Sequence, residues 1–315
     1  MKILVVSGFL GAGKTTFIKN LISKSKKQLV ILENEFGDDN LDSNALRQAG
    51  ELEILEFMEG CVCCSKKDSF INTLLTISAS LDPEYLIVEP SGLGKLSNIL
   101  DNIEKISYEK IQRLGSLVIL SPRQIDEYLN KYPEIYLDQI KNAQTIVFSK
   151  IENENKTVIE QAINKIKQYN KSVTIIDTPY QDMDDEFYNQ LLTNENTNEI
   201  IALENDNKKL FDQFTTKYPS IKNISELIAL LEDILHKRYG DIIRAKGELF
   251  INQEKIRFDL ADNLYGIIST PNDNDFQQCV FIGNNIDKKQ LGNYLRIKNR
   301  SIDYIGLKAG SKIPA

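Results

Sequence analysis

Eight residues near the start of the chain, Gly8-Phe9-Leu10-Gly11-Ala12-Gly13-Lys14-Thr15, have the spacing of a loop that holds phosphate groups. The glycines let successive backbone N–H groups point into one concavity, and a helix opening at Thr15 adds the positive end of its dipole. In that frame the backbone of Gly8, Gly11, Ala12, Gly13 and Thr16 cradles the phosphates. Lys14 reaches the β and γ oxygens, and the Thr15 hydroxyl binds Mg²⁺. A plain glycine-rich turn is the alternative; an apolar strand before the loop and a helix after it argue against that. A second element, Leu86-Ile87-Val88-Glu89-Pro90-Ser91-Gly92, ends a buried strand in a carboxylate. Glu89 stands where a magnesium-holding acid belongs, and Gly92 can offer its N–H to a γ-phosphate, which would make this turn a switch. The competing reading is an ordinary Pro-Ser-Gly turn.

Two further clusters carry donor chemistry. Glu33-Asn34-Glu35-Phe36-Gly37-Asp38-Asp39-Asn40-Leu41-Asp42 packs five carboxylates around one glycine, in the position of a first switch loop approaching Mg²⁺ and the γ-phosphate. A solvated acidic loop competes with that reading. Three of the four cysteines, Cys61, Cys63 and Cys64, fall within four positions. Such close cysteines do not form a disulfide framework. As thiolates they are soft ligands for Zn²⁺ and related ions, and three of them leave one tetrahedral position open, as a delivery site requires. Redox chemistry is the alternative. Downstream, Thr145-Ile146-Val147-Phe148-Ser149-Lys150-Ile151-Glu152 places Lys150 and Glu152 after a strand, where a carboxylate can accept from guanine N1 and N2, donors that adenine does not have. A surface loop fits the same residues. The single histidine, His236, reads as a partly exposed helix residue, and Cys279 as core.

The elements that must position these groups are legible as patterns. Apolar β-branched runs at residues 2–6, 28–32, 53–57, 85–88, 116–120, 145–148 and 173–176 alternate with helical stretches such as 67–80. That alternation predicts an α/β architecture with a doubly wound, mostly parallel sheet covered on both faces. Residues 194–222, rich in Asn, Glu and Lys, read as a linker. After it come a helix with Ser225 as its cap and Leu227, Ile228, Leu230, Leu231, Ile234 and Leu235 on its apolar face, then strands at 242–251, 255–260, 264–269 and 278–282. A helix at 287–295 and a last strand near Ile302 complete a smaller α+β part. The expected division is therefore 1–193, 194–222 and 223–315. The formal charge of -7 argues against a nucleic-acid or anionic-membrane partner, and no apolar run is long enough to cross a bilayer. A soluble, cytoplasmic protein is the expectation.

Taken together, these residues resemble the CobW-like GTPases, relatives of the UreG and HypB maturation proteins. Residues 8–16 resemble that family's P-loop, Glu33-Asn34-Glu35-Phe36-Gly37 its first switch, Gly60-Cys61-Val62-Cys63-Cys64 its metal motif and Glu89 to Gly92 its second switch. Arg244-Ala245-Lys246-Gly247 and Phe281-Ile282-Gly283 are similar to strand motifs of its C-terminal domain. The resemblance implies a GTPase using GTP and Mg²⁺, with Lys14, Thr15, Glu35 and Glu89 catalytic. It also implies a zinc or cobalt ion carried by the cysteines to a client metalloprotein or metal-cofactor enzyme. A GTP-dependent metal sensor and a P-loop phosphotransferase are the alternative functions. Two features depart from the family. Ser149-Lys150-Ile151-Glu152 replaces its Asn-Lys-x-Asp, losing an amide contact and lengthening the acid by one methylene, which leaves the strictness for GTP over ATP open. The histidine-rich segment of many relatives is missing, which implies one metal site per chain.

Overall fold

The computed structural model describes residues 1–34, 54–56, 67–201, 211–271 and 277–295. The chain divides into two compact units, Met1–Gln213 with Ala261–Leu264, and Phe214–Leu260 with Tyr265–Ala315.

The first unit contains strands β1 (Lys2–Ser7), β2 (Leu29–Asn34), β3 (Ile54–Glu56), β4 (Tyr85–Pro90), β5 (Gln112–Arg113), β6 (Leu117–Leu120), β7 (Thr145–Phe148) and β8 (Thr174–Ile176). They form one sheet in the order β3-β2-β4-β1-β6-β7-β8, with β5 also beside β1, and every pairing is parallel. Helices α1 (Lys14–Ser25), α2 (Lys67–Ser80), α3 (Leu96–Glu104), α4 (Ile125–Lys131), α5 (Pro133–Asn142), α6 (Lys156–Tyr169) and α7 (Asp185–Leu191) accompany it. Parallel strands need crossovers, and crossovers are right-handed. The chain leaves β1 toward β2 in one direction and leaves β4 toward β6 in the other, so the covering helices fall on both faces.

Side-chain alternation gives the same result. Leu4 and Val6 of β1 pack in one layer with Phe17, Ile18 and Leu21 of α1 and Tyr188 and Leu191 of α7. Ile3 and Val5 point the opposite way and are equally buried. Each such side chain contributes about 1.5–3 kcal/mol over an exposed one, which is why these strands read as continuous apolar runs.

In the second unit, β9 (Asp212–Lys217), β10 (Asp241–Ile251), β11 (Glu254–Ala261), β12 (Leu264–Thr270) and β13 (Gln278–Asn284) make a five-stranded sheet ordered β12-β11-β10-β13-β9, with β10 and β13 antiparallel. Helix α8 (Ile224–Leu235) lays Leu227, Leu230, Leu231 and Ile234 into a core with Phe258 and Phe281, and α9 (Lys288–Tyr294) adds Leu291. The cap of α8 is Asn223 rather than Ser225. Its extended backbone lets its side chain accept from Glu226 N at 2.9 Å, which leaves Ser225 inside the first turn.

Two parts of the Asn-rich stretch 194–222 have regular partners. Residue Glu195 bridges Leu114, and the Asn142 side chain exchanges hydrogen bonds of 2.8 and 2.9 Å with the backbone of Ile201. Strand β9 also lies within this stretch. The strand expected near Ile302 lies outside the described residues. Among the described residues no helix is long and apolar enough to cross a membrane.

Candidate functional site

The connections leaving the adjacent strands β1 and β4 run to opposite sides, which opens a crevice beyond their carboxyl ends, the usual ligand position in an open α/β sheet. Residues 8–13 form the loop at that point. Gly8, Gly11 and Gly13 have φ of 147°, 71° and 97°, a region that L side chains rarely adopt, so the loop's path requires glycine. Helix α1 opens at Lys14, one residue earlier than expected, with Gly13 as an N-cap that has no side-chain hydrogen bond. The first-turn N–H groups therefore remain available to an anion. Lys14 is buried, and its Nζ donates to Gly8 O at 3.1 Å, so its charge is held inside the loop.

Thr15 Oγ1 donates to Glu89 Oε1 at 3.3 Å, bringing together two groups 74 residues apart in sequence. Glu89 is the last residue but one of β4 and is 5% exposed; Glu33, equally buried, is its in-register neighbour on β2. A hydroxyl and buried carboxylates at one sheet end are the hard oxygen donors that Mg²⁺ takes alongside substrate phosphates, so the residues fit that ion. Glu33 stood in the acidic stretch read as a switch loop but was not singled out as a site residue; the structure places it within β2, and its closeness to Glu89 follows from strand order.

The turn after Glu89 rests directly on the phosphate loop. A Cβ at Gly92 would lie 2.6 Å from Leu10 N, so only glycine fits. Gly94 N closes the turn onto Ser91 O at 2.9 Å.

At the other end of the crevice, Ser149, Lys150 and Glu152 line a pocket shared with Gly13, Thr16 and Tyr180. Lys150 has a φ of 59°, an uncommon conformation for a side-chain-bearing residue, at the bend after β7. Glu152 Oε1 accepts from Gln181 Nε2 at 2.9 Å. Tyr180 is buried, with its ring 5.4 Å from that of Phe17; burial first, then the Glu152 charge, pushes its hydroxyl pKa up to about 12, so it stays protonated. Arg123 on the rim makes a bidentate pair with Glu154 at 2.9 and 3.0 Å. Tyr180 and Gln181 belong to the site and were not foreseen, because neither stands in a spaced motif.

The structure thus brings together Gly8, Gly11, Ala12, Gly13, Lys14, Thr15, Thr16, Glu89 and Gly92 at the phosphate end, and Lys150 and Glu152 at the far end. Glu35, Asp42, Cys61, Cys63 and Cys64 lie outside the described residues. Among the described residues no group of three or more His, Cys, Asp or Glu could hold a metal ion. His236, expected as a partly exposed helix residue, is the exposed C-cap just past α8, its Nδ1 2.8 Å from Glu232 O, while Cys279 is buried, as expected.

The model of the CobW/HypB/UreG nucleotide-binding domain matches residues 2–177. The chain is 33% identical over 169 residues to the zinc chaperone YeiR of Escherichia coli (strain K12), covering 53% of this chain and 51% of that protein. It therefore spans about half of YeiR. It is 23% identical over 285 residues to the zinc chaperone YjiA of the same organism, covering 84% of this chain and 86% of YjiA. The solved structure of Zn(II)-bound YjiA GTPase from E. coli superposes with a TM-score of 0.47 and 16% identity, over 94% of this chain and 98% of that one. With the phosphate loop, the acid near the end of β4 and the match over residues 2–177 together, the chain belongs to the CobW/HypB/UreG family.

Proposed function

We propose that this chain is a GTPase that couples the state of its nucleotide to a thiolate-bound metal ion and delivers that ion to a client metalloprotein or metal-cofactor enzyme. The observation that carries the reading is the contact of Thr15 with Glu89 at the mouth of the phosphate loop. In this reading the amides of Gly8, Gly11, Ala12, Gly13 and Thr16 cradle the phosphates, and Lys14 neutralises charge that develops on the β and γ oxygens. Thr15 and Glu89 would hold Mg²⁺, which when bound supplies further charge neutralisation at those oxygens. Glu35 orients the attacking water, Gly92 offers its N–H to the γ-phosphate, and Lys150 and Glu152 read the base.

Cys61, Cys63 and Cys64 hold the cargo. Relatives named as zinc chaperones favour zinc, with cobalt as the second metal to be tested. Residues 1–193 would carry the GTPase, 194–222 the connector and 223–315 the smaller α+β part, acting in the cytoplasm without nucleic acid or membrane.

The test is to titrate Zn²⁺ and Co²⁺ into the nucleotide-free protein, the GDP form and the form with a non-hydrolysable GTP analogue, with Cys63→Ser as control. Coupling between the sites should separate the metal affinities of the last two by about 5 to 150-fold, and metal must change analogue affinity by the same factor. Identical metal affinities in all three forms would sink the chaperone reading. A phosphorylated small-molecule product would replace it with a phosphotransferase.

A further inference from the structure

Helix α5 supplies two buried polar side chains that the site as described does not use. Gln139 is fully buried, and its Nε2 donates to both Gly92 O and Gly94 O at 3.3 Å. Its Oε1 is buried with no hydrogen-bond partner among the described residues. An apolar residue of similar size would avoid that desolvation cost, so the amide's place here is explained by its donor side. The preceding residue, Asp138, is also fully buried. It accepts from Ser97 N at 3.0 Å and Ser97 Oγ at 2.5 Å, capping α3 from a different helix because the N-cap Lys95 makes no side-chain cap hydrogen bond.

Both ends of the stretch from Gly92 to Ser97 are therefore fastened to α5. The same helix also braces the phosphate loop. Phe9 meets the edge of Tyr136 of this helix at 6.0 Å and stacks on its N-cap residue Tyr132 at 5.2 Å, and Tyr136 and Gln139, three apart, lie on one helical face. Gly92 is thus held from two sides, by the Leu10 backbone and by the Gln139 amide.

We infer that Gln139 is a positioning residue for γ-phosphate recognition: by tying the carbonyls of Gly92 and Gly94 to the helix that braces Phe9, it fixes the Gly92 N–H relative to the phosphate loop. This rests on the proposed nucleotide chemistry. A merely structural glutamine would affect all nucleotides equally or only stability, whereas a positioning role acts on the γ-phosphate alone.

The experiment compares wild type, Gln139→Leu and Gln139→Glu in the full-length protein with Mg²⁺, measuring equilibrium affinity for GDP and for a non-hydrolysable GTP analogue, and thermal unfolding. Gln139→Leu should lower the ratio of analogue affinity to GDP affinity about tenfold, the scale of a lost hydrogen bond or two, and leave GDP binding unchanged. Gln139→Glu has the same size but turns an oxygen toward two carbonyls, so it should show the same loss, easing at low pH as the acid protonates and can donate. If Gln139→Leu does not fold, the Gln139→Glu comparison decides. A wild-type affinity ratio in a cooperatively folded variant would overturn the inference and leave the GTPase reading intact. A wild-type protein that binds no guanine nucleotide would overturn both.

Discussion

The two ends of the crevice are built by different means. At the phosphate end the groups interlock, with Lys14, Glu89 and Gly92 buried: Lys14 bonds its own loop, Thr15 meets Glu89, and Gly92 has no room for a methyl group. At the base end Glu152 and Gln181 are exposed, and Glu152 is steadied by one side-chain amide. The first arrangement is fixed largely by backbone geometry, which depends on glycine at given positions. The second depends on side-chain reach, so a motif departure such as Ser149 or Glu152 changes contacts without changing the fold. In the proposed reading, chemistry common to all nucleoside triphosphates falls on the rigid end, and choice among them on the adjustable one.

Three measurements would break or sharpen that contrast. The largest effect is expected at the rigid end. Lys14→Ala should lower GTP turnover by at least the order of 10²-fold, as for loss of a preorganised charge-stabilising donor. Unchanged turnover would remove the loop from the reaction.

At the adjustable end, Glu152→Ala should weaken GTP by about 1 to 3 kcal/mol and scarcely change ATP, since only guanine loses an acceptor for N1 and N2. Gln181→Ala should follow the same pattern with a smaller loss, because it removes only the group that steadies Glu152. Competition binding with both purine nucleotides decides; equal losses for GTP and ATP would mean that this loop does not read the base.

The smallest effect concerns the support of the rigid end and is read from its pH dependence. Burial holds the Asp138 carboxyl above the usual carboxylate range, with the Ser97 hydrogen bonds opposing the shift. The folded state then binds this proton more tightly than the unfolded chain. Its contribution to stability is fully present below the ordinary carboxylate pKa and is lost as pH rises through the raised value. Asp138→Asn, which cannot ionise, should therefore gain on wild type in thermal unfolding as pH rises above the ordinary carboxylate pKa of about 3.9. A difference that stays constant with pH would show that Asp138 does not titrate with folding.

Legibility in the sequence followed the range of the interactions. The strands of the large sheet show as apolar runs because they are buried on both faces, and the phosphate loop shows because all its groups lie within nine positions. Glu89 was found because it stands near the end of such a strand beside a recognisable turn. Gln139 and Asp138 were invisible for the opposite reason: they serve groups more than forty residues away, and polar residues on a helix ordinarily mark its solvent face. Tyr180 and Gln181 likewise reach Gly13 and Glu152 only through the folded sheet. The capping error at Ser225 is local. Asn223 and Ser225 could each cap that helix, and the backbone angle that selects Asn223 is set by the chain arriving at it.

The aromatic packing of Phe9 has an optical consequence. The chain contains 13 tyrosines and no tryptophan, and Phe9 lies 4.6 Å from Tyr128, 5.2 Å from Tyr132 and 6.0 Å from Tyr136. An indole introduced as Phe9→Trp would be the sole long-wavelength emitter in the molecule and would collect excitation from the rings around it by energy transfer. Its emission would come from the phosphate loop itself. Spectral shifts on adding nucleotide would then follow the packing of that loop in real time, without a label on either the protein or the ligand.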